Sequence, residues 1–229
     1  VVSSMRDAAE EAGVSIVTGD TKVVDRGKGD GLYVNTAGIG LVPEGVDVRP
    51  ERMRPGDKVV HSGEIAVHGI AVMARREGFV LESEVRSDSA ALHELVGGLL
   101  DVLGARVHVL RDPTRGGVAS ALNELAEAAG VGVVIRESAI PVREDVRGAC
   151  EILGFDPLYV ANEGKCLAVV EADVADEALG LLRAHPLGQD AVLLGEVVED
   201  PHHQVQLETS IGGRRIVDMM SGEQLPRIC

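Results

Sequence analysis

The sequence predicts an α+β protein whose strands and helices mix in an α/β sandwich. Three observations predict it. Apolar runs of strand length alternate with helical patterns between residues 57 and 217. Gly is frequent, at 28 of 229 residues, and punctuates those runs as tight turns do. Aromatic residues are only 2%, with no Trp, so the core has to be built from Val, Leu, Ile and Ala.

Residues 1–12 have the pattern of an amphipathic helix closed by Gly13. "VSIVTGDTKVV" (14–24) reads as one or two strands around a Gly-Asp turn, and "GLYVNTAGIGLV" (31–42) as a strand interrupted by glycine. "RPERMRPGDKVV" (49–60) is a polar, proline-bearing connector, and a domain boundary is placed near residue 48. Strand 57–61 then leads to helices 64–77 and 89–103 and to strand 106–110. Helix 116–129 carries Val118, Leu122 and Leu125 on one face. Strand 131–136, helix 143–153, strand 165–171, helix 174–184 and strand 192–198 follow, and strands 205–208 and 214–217 close the domain. The expected organisation is therefore 1–48, 49–217 and a flexible tail at 218–229. Twelve extended residues at about 3.3 Å each reach ~40 Å.

Composition narrows the function classes. Hydrophobic residues at 45% and charged residues at 26% are the balance of a soluble globular protein. A formal net charge of −15 repels phosphate backbones, and few aromatics are present to stack bases, so nucleic-acid binding is not expected. Cys150, Cys166 and Cys229 make an odd set without CxxC spacing, which reads as neither a disulfide framework nor a zinc site. No apolar run of about 18 residues and no signal peptide are seen, so a cytoplasmic protein without a membrane span is expected. The chain begins without Met and already inside a helical pattern, as expected of a fragment that has lost an N-terminal part; a processed start is the alternative.

Several stretches can carry chemistry. "GDTKVV" (19–24) sets Asp20 and Lys22 two residues apart, on one side of a strand. The acid is suited to Mg²⁺ and the amine to a phosphate or a proton; the plainer reading is a solvated turn. In "RDPTRGGVA" (111–119), a turn with Asp112, Gly116 and Gly117 enters a helix, so backbone can approach an anion at the helix N-terminus. It lacks the Gly-Lys-Ser/Thr of a P-loop, and a glycine-rich helix start is the plain alternative. "ANEGKCLAVV" (161–170) puts Asn162, Glu163 and Lys165 at a strand entry, as an acid–base pair or an ordinary ion pair. Cys166 reads as a small buried hydrophobe. His68 and Gly69 fall on a probable helix, where a lone His is more often structural and the Gly marks close packing or a ligand contact. His202 and His203 read as loop. "LPRIC" ends the chain on Cys229, either as an accident or as an accessible nucleophile, reactive as the thiolate.

Taken together, "GDTKVV", "AVHGIAVMARREG", "DPTRGGVA", "NEGK" and the terminal "PRIC" resemble the HypE family of hydrogenase maturation proteins. The resemblance covers essentially the whole chain. The first motifs alone resemble the wider superfamily of AIR synthase, selenophosphate synthetase and thiamine monophosphate kinase; the terminal Cys separates HypE from those relatives. The resemblance implies the remnant of an ATP-binding AIR-synthase-like domain at 1–48, followed by an AIR-synthase-like C-terminal domain. It further implies that a HypF-like carbamoyltransferase loads Cys229 with a carboxamide, which is dehydrated with ATP to a thiocyanate. The cyanide then passes to iron on a HypC–HypD complex. Glu163 and Lys22 are implied as the pair that removes protons, and Asp20 and Asp112 as contacts to Mg²⁺ or ATP phosphates. By the same resemblance, Gly116 and Gly117 are expected to shape a phosphate-facing turn and the protein to be a homodimer. A chain without the rest of the ATP site is expected to turn over ATP poorly. Two alternatives stand beside this reading: another synthetase or kinase of the superfamily, and a non-enzymatic docking protein.

Overall fold

The computed structural model describes residues 1–29, 31–78 and 85–220. The chain forms two compact units, Val1–Val46 and a second beginning at Asp47. The first contains helix α1 (Val2–Glu11), which ends at Ala12 and is followed by Gly13 with φ of +66°. The segments expected to be strands, 14–24 and 31–42, form no strand among the described residues. Their alternating apolar side chains are laid bare: Val17, Val23, Ile39 and Leu41 are all largely exposed. Alternation alone makes no strand; backbone groups need a neighbouring ladder and the apolar face needs a partner. The described part of this unit supplies neither.

The second unit is a mixed sheet covered by helices. Its strands are β1 (Lys58–His61), β2 (Val107–Arg111), β3 (Gly132–Arg136), β4 (Leu167–Val170), β5 (Val192–Val198), β6 (Val205–Glu208) and β7 (Arg214–Ile216). They lie in the order β2-β4-β1-β5-β3-β6-β7. Neighbours are antiparallel except β3 and β6, which run parallel. Helices α2 (Val67–Glu77), α3 (His93–Leu103), α4 (Gly117–Ala129), α5 (Glu144–Leu153) and α6 (Ala175–Ala184) complete the fold.

The two faces of the sheet explain why the sequence reads as apolar runs rather than strict alternation. In β4, Leu167 and Val169 join the core under α4, while Ala168 and Val170 join the core under α3 and α6. A strand covered on both faces needs apolar residues at every position. Helix α4 packs Val118, Leu122 and Leu125 against Val59, Val133, Ile135 and Leu194. Each such side chain contributes about 1.5–3 kcal/mol by leaving water. A third cluster joins α2 to α5 through Val67, Ile70, Val146 and Ala149, with Val160 beneath them. At Gly195 a Cβ would run into the carbonyl of Val134, so β5 and β3 meet too closely there for any side chain.

The sheet also buries a titratable group. His61, the last residue of β1, is fully enclosed. Its Nδ1 lies 2.5 Å from the Gly63 carbonyl, which makes Nδ1 the protonated nitrogen and leaves Nε2 buried without a partner among the described residues. Burial pushes its pKa down from 6.5 to about 4; the bond to Gly63 opposes this and the Lys165 charge adds to it. The folded state therefore holds His61 neutral, whereas an unfolded chain takes up a proton near 6.5. Stability from this group is complete above 6.5 and is lost as pH falls toward 4. Urea unfolding followed from pH 7 to pH 4 is expected to show a loss of a few kcal/mol over this window. A neutral His61→Gln variant is expected to flatten that slope even where its baseline stability is lower.

Candidate functional site: a strand entry tied to a helix start

Three chain segments meet at one buried amide. Asn162, 1% exposed, accepts from the Ala66 backbone N–H at 2.7 Å. Its Nδ2 donates to the carbonyls of Pro113 at 3.0 Å and Val160 at 3.1 Å. Its own backbone N–H also reaches Pro113 O, at 3.2 Å. One side chain thus holds the start of α2, the turn before α4 and the entry to β4. Ala66 is left-handed, with φ of +68°, a conformation that costs a residue bearing a Cβ roughly 1–2 kcal/mol. The bond from Asn162 is one of the contacts holding it there.

Two glycines allow the segments to close. A Cβ on Gly69 would collide with the Val160 side chain, and the Gly69 N–H donates to Ala161 O at 3.1 Å. The Gly69 signal in the sequence therefore marks close packing. Gly117, with φ of +63°, has the carbonyls of Leu158 and Val160 where a Cβ would stand. Gly116, also left-handed at +73°, is covered by Ser120 of the first turn of α4. The glycine pair thus sets the sharp turn into α4 and its packing on residues 158–160.

On this frame sit the side chains of the NEGK stretch. Glu163 is half-buried and makes no hydrogen bond or ion pair among the described residues. Burial raises its pKa above the ordinary 4.5; His68 opposes the rise, and Asp112 and Asp88 add to it. Gly164, with φ of +63°, lies against the backbone of Asp88 and Ala90. Lys165 does not pair with Glu163: its Nζ lies 2.6 Å from Asp88 Oδ2, both largely shielded. The sequence left an acid–base pair and an ion pair open for this stretch, and the ion pair is made with Asp88. Lys165, Asp88, Glu64 and Arg143 line a cavity of about 350 Å³ beside this strand entry.

The sequence candidates divide between the units. Asp20 and Lys22 belong to the first unit and are exposed in a segment without regular structure. Asp112, Gly116, Gly117 and Glu163 belong to the second, which gathers them around Asn162 and the start of α4. Cys229 lies outside the described residues. Cys150 and Cys166 are buried, and burial pushes both thiols up to about 11. Neither is a nucleophile near neutral pH. Among the described residues no three His, Cys, Asp or Glu side chains converge as a metal cage. The exposed carboxylate of Asp112, beside a helix N-terminus, fits the way Mg²⁺ is held by one or two carboxylates together with substrate phosphates. Asn162, named in the sequence beside Glu163 and Lys165, has a framing role in the structure that its letter does not announce.

This architecture, a mixed sheet with a glycine turn feeding α4, defines the class. Residues 54–208 match the family described as AIR synthase related protein, C-terminal domain. Over its full length the chain is 53% identical to carbamoyl dehydratase HypE of Bradyrhizobium diazoefficiens, covering 66% of that protein. It is 55% identical to the HypE of Cupriavidus necator, covering 65%, and 54% identical to that of Azotobacter vinelandii, covering 67%. The chain belongs to the HypE family of hydrogenase maturation proteins. It spans about two thirds of the length of these relatives. Among solved structures, Escherichia coli HypE superposes with a TM-score of 0.94 at 46% identity, over all of this chain and 70% of that one. A HypE–HypF complex gives 0.91 at 47% identity, over 95% and 70%. A HypE in complex with ATP gives 0.87 at 41%, over 100% and 69%.

Replacing Asn162 tests the frame. Asn162→Leu leaves one buried N–H and two buried carbonyls without this partner, at about 1–3 kcal/mol for each group left unmet. Urea unfolding is expected to report a loss on the order of 3 kcal/mol. Asn162→Asp keeps the acceptor for Ala66 but points a carboxylate oxygen at two carbonyls, so it is expected not to restore stability.

Proposed function

We propose that this chain is the carboxamide-handling part of an ATP-dependent carbamoyl dehydratase. In this reading it converts an S-carboxamide on Cys229 to a thiocyanate, which supplies cyanide ligands for the iron of a [NiFe]-hydrogenase. One observation carries the reading. Glu163 is a carboxyl without hydrogen-bond or ion-pair partners among the described residues, its pKa is raised by burial, and it is fixed beside the start of α4 by the adjoining Asn162. A base serves best when its pKa approaches working pH, and partial burial moves Glu163 that way. The likeness to proteins named carbamoyl dehydratase supports the same activity.

The chemistry assigns a task to each residue. The oxygen of a carboxamide is a poor leaving group, and ATP supplies the phosphoryl group that makes it a good one. Glu163 removes protons from the carboxamide nitrogen. Lys22 joins it as the second group in proton removal, a role that rests on the resemblance. Asp112, with Asp20, is assigned to Mg²⁺ and the phosphates. The turn at Gly116 and Gly117 brings a helix N-terminus, which favours anions, a few residues after Asp112. The protonated Cys150 and Cys166 leave the carrier role to Cys229. A HypF-like carbamoyltransferase is the proposed donor, in keeping with the solved HypE–HypF complex. A HypC–HypD complex is the proposed acceptor, and a cytoplasmic homodimer the proposed setting.

Mass spectrometry of the C-terminal peptide tests this reading. After co-expression of a chain of the relatives' full length with a carbamoyltransferase, Cys229 is expected to carry a carboxamide, and addition of ATP is expected to remove the mass of one water. No adduct at Cys229 would leave a docking protein as the better reading. ATP-dependent product formation that survives Cys229→Ala would favour a superfamily kinase or synthetase. Glu163→Gln is expected to keep the carboxamide adduct while slowing water loss by roughly 10²–10⁴-fold.

A further inference from the structure

Residues 217–220, which follow β7, form no helix or strand, yet they are held one after another. Val217 is fully buried in the core under α4, and its N–H donates to Val205 O at 2.8 Å. Its carbonyl accepts from Asn123 Nδ2 at 2.8 Å, and the same nitrogen donates to Ala119 O at 2.9 Å. The carbonyl of Asp218 accepts from the Tyr159 hydroxyl at 2.9 Å. The Met220 methyl lies 3.8 Å from where a Cβ of Gly116 would stand. Just upstream, Arg215 pairs with Asp156 at 2.9 Å, and Asp156 opens the short turn Pro157–Tyr159.

These contacts define a direction. From Asn123 back to Gly116, α4 covers about 10 Å at 1.5 Å per residue. From Val217 to Met220, extended chain covers about 10 Å at 3.3 Å per residue. The two lengths agree, so the segment runs along α4 toward the start of the helix. Water would satisfy the carbonyls of Val217 and Asp218 equally well; what Asn123 and Tyr159 add is a fixed place for them. Tyr159 also ties that place to the candidate site. The carbonyls of Leu158 and Val160, on either side of it, stand against Gly117. Cys229 follows Met220 by nine residues, a reach of at most about 30 Å.

We propose that Asn123 and Tyr159 are positioning residues for the carrier sulfur: they lay residues 217–220 along α4, so that the stretch leading to Cys229 departs from the glycine turn at Gly116 rather than from the end of β7. This inference deepens the dehydratase reading above and rests on it. A tethered group reaches its target at an effective concentration that falls as the tether lengthens. Moving the last fixed point from Val217 to Met220 shortens the tether and starts it about 10 Å nearer the turn that carries Asp112. Neither residue touches the reacting atoms, and the effect is a matter of a few-fold in delivery.

Two measurements on a chain of the relatives' full length test the track and its role separately. The first is peroxide oxidation of methionine read by mass spectrometry, which requires no turnover. Met219 is 47% exposed and Met220 is half-buried, so Met219 is expected to oxidise faster. In Tyr159→Phe, and more so with Asn123→Ala added, the rate at Met220 is expected to rise toward that at Met219. The second is single-turnover thiocyanate formation with Cys229 loaded beforehand. The double variant is expected to be slowed roughly two- to fivefold, with the KM for ATP unchanged. Tyr159→Phe removes one oxygen and keeps the ring, so it carries both measurements alone if Asn123→Ala fails to fold by circular dichroism. An unchanged oxidation rate at Met220 would overturn the track. Faster oxidation with an unchanged rate of thiocyanate formation, or a raised KM for ATP, would overturn its role in delivery. Failure of the unaltered protein to form thiocyanate would overturn the dehydratase reading and the delivery role with it, while the oxidation result would still decide whether the track exists.

Discussion

The side-chain amide of Asn162 is the tie on which the candidate site depends. It offers one acceptor and two donors in a fixed plane, and all three are used by backbone from separate segments. Aliphatic side chains of similar size can fill the space but cannot tell a carbonyl from an N–H. Because the bonded groups are main chain, the amide fixes the path of the backbone itself. Glu163 then inherits its position from the residue before it, His68 from the helix start above it, and Asp112 from the turn that ends in Pro113. Satisfied buried polar groups specify a unique arrangement more sharply than apolar contact does.

Around that tie, glycine acts as an absence of volume. Gly69, Gly117 and Gly164 each stand where a Cβ would strike another segment. Together they let α2, the start of α4 and the segment before α3 approach the entry of β4. Burial raises the pKa of Glu163 above its ordinary value, and the charges of Asp112 and Asp88 add to that rise. Lys165 is held by its ion pair with Asp88 rather than by Glu163.

Much of the second unit was legible from the sequence, for a physical reason. Strands β3 and β4 are buried on both faces and so appear as apolar runs, while the Val118, Leu122 and Leu125 stripe of α4 appears with helical period. The stretches at 14–24 and 31–42 carry a strand pattern too, but pattern records only which side chains seek cover; their pairing depends on neighbours that the described residues do not provide. In the site, acid and glycine letters were visible because they are rare in apolar runs. The tie made by Asn162 was not, since a buried amide bonded to three backbone groups has the same letter as an exposed one. Gly69 was the one written sign of the close approach between α2 and the entry of β4.

The chemical quiet of the two buried cysteines bears on how a chain with the proposed carrier role avoids labelling itself. An electrophilic carbamoyl group discriminates among thiols by their ionisation, and each pKa unit above ambient pH costs about a tenfold share of thiolate. By enclosing Cys150 and Cys166 in apolar surroundings, the fold makes self-acylation of its own core slow. Fidelity of loading would then come from suppressing the wrong sulfurs as much as from selecting the right one, and the hydrophobic core would act as a protecting group.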